Sequence, residues 1–77
     1  MDILEFSAKL ESEFEDLEKG SVTPATEFRN LPGWSSMHAL IIIAFIDLNF
    51  EVILNSTELK EAKTVNDLYY LATKKNV

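Results

Sequence analysis

The segment from Ser36 to about Asn49 constrains the fold most. Its most apolar part, Ala39 to Ile46, is far shorter than the ~20 residues that span a bilayer. It therefore predicts a second helix that the rest of the chain must cover. At about 100° per residue the apolar side chains fall on two arcs. Ala39, Ile42, Ile43, Ile46 and Phe50 form one, and Met37, Ile41, Ala44, Phe45 and Leu48 form the other. His38 and Asn49 separate the arcs on one side, Asp47 and Glu51 on the other, and Leu40 lies at the edge of the second. One arc must face a core. The other is either covered by a loop carrying Phe28, Leu31 and Trp34, or left exposed as a docking strip.

The covering segments are also helical by pattern. Ile3, Phe6, Leu10, Phe14 and Leu17 recur at spacings of three and four, predicting a first helix from Asp2 to Lys19 that stops at Gly20. Glu11, Glu13, Glu15, Asp16 and Glu18 fall mostly off that stripe. Gly20 to Ser35 reads as a long loop broken by Pro24, Pro32 and Gly33, with a short helical turn around Ala25 to Asn30. Asn55 to Ala62 predicts a short third helix capped by Asn55 or Ser56. Val52-Ile53-Leu54 before it reads as a buried extended link. Val65 to Lys75 predicts a fourth helix, with Thr64 and Asp67 as a capping box and Lys74 and Lys75 at its negative end. The expected architecture is an all-α four-helix bundle in one domain, residues 1–77, with a short third helix and a long first loop.

Size and charge narrow the function. A chain of 77 residues buries roughly 60% of its unfolded surface and has little interior for a large active site. Carriers, adaptors and binding modules fit that size better than enzymes. The 13 acidic residues against 7 basic ones give a net charge of -6, which disfavours nucleic acid and anionic membranes. The same charge steers basic protein partners in, or simply keeps the domain soluble. There is no cysteine, so disulfides and thiolate metal sites are excluded. The start, Met1-Asp2-Ile3-Leu4-Glu5, lacks the cationic flank and apolar run of a signal peptide, and a cytoplasmic monomer is expected.

Chemistry concentrates at Leu31-Pro32-Gly33-Trp34-Ser35-Ser36-Met37, where the loop meets the second helix. A hydroxyl there is exposed and rigidly held, as a tethering point requires. The simpler role of both serines is N-capping, with either one as the cap. A nucleophilic serine needs a base and a group that orients it. The lone histidine, His38, is two residues from Ser36 and so points to another side of the helix. No Gly-x-Ser-x-Gly elbow is present, and one histidine makes no metal site. Asp47 and Glu51 form an i, i+4 acidic pair that a solvated face also explains.

These residues carry a resemblance. Ser35-Ser36-Met37 stands where free-standing bacterial acyl carrier proteins have Asp-Ser-Leu at the start of their second helix. The likeness runs on through Ile42, Ile46 and Phe50, through Ile53-Leu54, and into Lys63-Thr64-Val65-Asn66-Asp67-Leu68. It covers nearly the whole chain. It implies a four-helix acyl-carrier-like bundle that is not itself an enzyme. Ser36 would carry a covalent 4'-phosphopantetheine arm, attached by a phosphopantetheinyl transferase, and acyl-loading and acyl-using enzymes would be the other partners. Ser35, Met37, Ile41, Asp47, Leu48 and Glu51 would then form the docking surface. Ser35 replaces the family's acid, and the second helix keeps only Asp47 and Glu51 where the family is rich in Glu. The resemblance therefore implies a specialised carrier with more apolar docking. A carrier of aminoacyl or peptidyl groups in the same fold, and an unmodified helical interaction module, are the alternatives.

Overall fold

The computed structural model describes residues 1–15 and 17–75 of the chain, with the side chain of Lys75 left out. Asp16 and that side chain, both assigned roles above, lie outside the described residues. The element order is α1 (Ile3–Ser12), a 3-10 turn (Phe28–Asn30), α2 (Ser36–Phe50), α3 (Ser56–Glu61) and α4 (Val65–Lys75). The fold is an all-α four-helix bundle, with no strand among the described residues and a single bridge between Glu27 and Thr64.

The centre of the core is aromatic. Phe6 of α1 is fully buried, with ring centroids 5.4 Å from Phe45, 5.7 Å from Phe50 and 5.3 Å from Tyr69. Leu10, Ile42, Ile46, Val65, Leu68 and Ala72 are also fully buried, so α4 closes against both α1 and α2. In the link after α2, Val52 and Leu54 are buried while Ile53 is 74% exposed, the alternation of an extended segment.

The first helix is shorter than its apolar stripe predicts, ending at Ser12 rather than Lys19. Beyond it the Glu13 and Phe14 amides bond back three residues, to the Leu10 and Glu11 carbonyls. A longer helix would place Glu11 and Glu15 four apart and stack acids at the negative end of the dipole. Instead the Glu11 carboxylate accepts N–H bonds from Gly20 at 2.9 Å and Val22 at 3.0 Å, folding the return loop onto α1. Phe14 still reaches the core and Leu17 packs at its edge, which is why the apolar spacing continues past the helix end.

Those Val22 and Gly20 bonds hold the Glu11 carboxyl below its ordinary value of 4.5. A lowered carboxylate pKa stabilises the fold above its unfolded-state value, and that stability disappears as pH falls through the lower folded value. Glu11→Gln is therefore expected to lower the urea midpoint at pH 7. The gap to wild type should close as pH drops below about 4, the ordinary Glu range.

The long loop is tied down by backbone bonds. The Thr26 carbonyl accepts the Val65 N–H at 3.0 Å and the Pro24 carbonyl accepts the Asn66 N–H at 2.9 Å, satisfying two amides at the start of α4. Asp67 accepts from the Lys63 and Thr64 amides, and the Thr64 hydroxyl accepts the Asp67 N–H at 3.2 Å, completing the expected capping box. The Lys63 and Thr64 amides lower the Asp67 pKa. Asn55, not Ser56, caps α3, paired reciprocally with Glu58. At the other end of α3 the Arg29 guanidinium donates to the carbonyls of Ala62, at 2.7 Å, and Leu59. The loop thus orients α3 as well as α4.

Candidate functional site

The loop enters α2 through Gly33, whose φ of +75° lies in the left-handed region that favours glycine. Trp34 is half-buried and edge-on to Phe28, with ring centroids 5.6 Å apart. Ser35 then adopts an extended conformation (φ −147°) as the N-cap, and Ser36 is the first helical residue. The carbonyl of Ser35 accepts the His38 N–H at 3.0 Å.

The two adjacent serines differ in what their hydroxyls do. His38 Nδ1 accepts the Ser35 N–H at 3.1 Å and lies 3.0 Å from the Ser35 hydroxyl. The Ser35 peptide N–H thus donates to Nδ1, with the Ser35 hydroxyl beside the same nitrogen. His38 is half-buried between Phe14 and Trp34, with ring centroids 5.2 Å and 5.6 Å away. Ser36 is exposed, and among the described residues its hydroxyl makes no hydrogen bond within the chain. Ser35 is therefore the cap and Ser36 the free hydroxyl. Sequence spacing does not encode the aromatic contacts of His38, although the three-residue spacing Ser35-x-x-His38 matches a capping box.

The apolar arcs of α2 require one correction. Phe45, placed on the second arc, is buried against Phe6, and Ile41 is half-buried at the core edge. The exposed remainder is Met37 (67%), Leu40 (66%), Ala44 and Leu48 (81%), spaced three, four and four residues apart. Phe28, Leu31 and Trp34 do pack against the core, so a covering loop and an exposed strip coexist. Asp47 is exposed on the same side of the helix. Glu51 is exposed just past the end of α2, with a left-handed φ of 56° and its N–H on the Asp47 carbonyl at 2.9 Å. Of the docking candidates, Ser35, Met37, Asp47, Leu48 and Glu51 are thus at the surface and Ile41 only partly so. Leu40 joins them because the true core arc is rotated toward Phe45.

Two clefts flank the N-terminal half of α2. One, of about 430 Å³, opens between α2 and α3 beside Ser36. Trp34, Ala39, Leu40, Ile43 and Leu59 supply its apolar lining, and Arg29, Ser56 and Lys60 its polar groups. The other, of about 460 Å³, lies between α2 and the segment after α1, floored by Phe14, Leu17, Leu31, Met37 and Ile41 and flanked by Glu13 and Glu15. Among the described residues no group of three or more His, Asp or Glu side chains is placed to hold a metal ion. No helix among them is long and apolar enough to cross a membrane. In comparisons with known proteins, no family model, curated protein or solved structure matches the chain.

Proposed function

We propose that this chain is an acyl carrier, with Ser36 as the attachment point of a 4'-phosphopantetheine arm. The observation that carries this reading is the division of labour between the serines. Ser35 and His38 occupy each other in the helix cap, while the Ser36 hydroxyl is exposed and unpaired beside an apolar cleft. A hydroxyl that is to be modified by another enzyme needs access and a rigid base, and no activation from its own domain. Helix α2 supplies the rigidity through its buried face, Ile42, Phe45, Ile46 and Phe50. With its acceptor nitrogen engaged by Ser35, His38 is poorly disposed to act as a base for Ser36.

The arm, once bound, supplies a terminal thiol that holds an acyl group as a thioester. The chain's own part is to present the hydroxyl, shelter the body of its cargo in the α2–α3 cleft, and offer the Met37, Leu40, Ala44 and Leu48 strip to partner enzymes. Such docking is transient when the interface is small. A carrier of aminoacyl or peptidyl groups would use the same residues and differ only in the enzyme that loads it.

The test is mass spectrometry after incubation with coenzyme A and a broad-specificity phosphopantetheinyl transferase. The expected result is one phosphopantetheine adduct on wild type and none on Ser36→Ala. No adduct, or one that survives the substitution, overturns the proposal. The exposed strip also favours a second reading, an interaction module that is never modified. That reading prevails if partner binding is unchanged in Ser36→Ala and no modified form occurs in cells.

A further inference from the structure

We propose that the cleft between α2 and α3 is built for a chain with an apolar body and an anionic end, specifically an acyl group terminating in a carboxylate. The motivating asymmetry is in charge. The molecule carries a net charge of -6, and three other clefts among the described residues include carboxylates: Glu13 and Glu15 in one, Glu11 in a second, Glu58, Glu61 and Asp67 in a third. The cleft beside Ser36 contains none, and its charged residues are Arg29 and Lys60.

Both cations retain binding capacity. A guanidinium has five N–H donors, and Arg29 donates through Nη1 and Nη2 to backbone carbonyls, leaving donors unused on a fixed planar group. Those bonds hold Arg29 in place instead of neutralising it, since both acceptors are uncharged. Lys60 is exposed and pairs with no carboxylate among the described residues. A plain alkyl chain laid in the cleft would cover these cations with hydrocarbon, which is unfavourable for unpaired charge. A chain ending in a carboxylate keeps the contacts with Trp34, Ile43 and Leu59 and places its charge beside Arg29 and Lys60, within reach of charge-assisted hydrogen bonds.

That such a chain is delivered from Ser36 rests on the carrier reading, but the preference of the cleft does not. Its test uses the full, unmodified chain, labelled with ¹⁵N and titrated with hexanoate, hexanamide and inorganic phosphate while amide shifts are followed. Hexanoate is expected to move the signals of Arg29, Leu40, Ile43 and Lys60, and to bind about tenfold more tightly than hexanamide, as one charge-assisted contact allows. Lys60→Gln should reduce that preference about threefold, with Arg29 supplying the remainder, and leave hexanamide binding unchanged, which also shows that the variant is folded. Equal affinity for the two probes, no saturable binding, shifts confined to another face, or a preference undiminished in Lys60→Gln overturns the proposal. Phosphate binding as tightly as hexanoate at the same residues overturns it too, by assigning the cations to the phosphate of an arm rather than to cargo. Failure of Ser36 to accept an arm would leave these results standing.

Discussion

Replacing Phe6 with alanine is expected to bring the bundle close to unfolding at room temperature. Phe6 has no exposed surface and its ring meets Phe45, Phe50 and Tyr69, so one side chain joins α1, α2 and α4. Truncating a buried phenylalanine costs about 3–5 kcal/mol through lost transfer energy and the cavity left behind. At roughly 0.05–0.15 kcal/mol per residue, a domain this short has about 4–12 kcal/mol in total. The loss thus removes between about a quarter and all of it. With about 4–8 °C of midpoint per kcal/mol, thermal unfolding followed by far-UV circular dichroism should fall by some 12 °C at least. Leu4→Ala, two residues away in the same helix but 69% exposed, should change stability by no more than about 0.5 kcal/mol. If the two variants melt together, the aromatic centre is not where the fold is held.

Much of this architecture was legible in the chain, and the misses have physical causes. Helices α2, α3 and α4 carry explicit start signals, Ser35, Asn55 and Thr64, and their observed bounds follow those signals. Helix α1 has the periodicity but no stop signal before Gly20. Hydrophobic spacing cannot distinguish a continuing helix from a turn that returns Phe14 and Leu17 to the same core. The acids from Glu11 onward held the missing information as unfavourable like-charge and dipole terms. In α2 the apolar residues go nearly all the way round, so the pattern alone leaves the core direction open and puts Phe45 outward, whereas Phe6 pulls it inward. Arg29 and His38 act through contacts that sequence spacing does not encode well. Arg29 reaches carbonyls thirty residues or more away, and His38 fits between rings from α1's return segment and the loop. At the candidate site, the exposed hydroxyl of Ser36 was readable, whereas its distinction from Ser35 required the imidazole to be placed.

If the carrier reading holds, the double substitution Met37→Gln with Leu48→Gln should slow arm transfer about 100-fold in kcat/KM without unfolding the domain. Both side chains are mostly exposed, at 67% and 81%, so replacing them should shift stability by no more than about 0.5 kcal/mol each. Fully burying such a side chain is worth about 1.5–3 kcal/mol, of which an interface realises only part. Taking about 1.4 kcal/mol for each gives tenfold per site. The two lie about 16 Å apart at 1.5 Å per residue, far enough for the losses to add. Glutamine removes apolar surface while leaving charge unchanged, so the loss reports docking by the strip alone. Asp47→Asn and Glu51→Gln, at the polar border of the same surface, should mainly reduce the association rate and its salt dependence. Should the glutamine pair be modified at the wild-type rate while the acidic variants are slowed severalfold, recognition is electrostatic. Met37 and Leu48 would then be exposed for some purpose other than meeting the transferase.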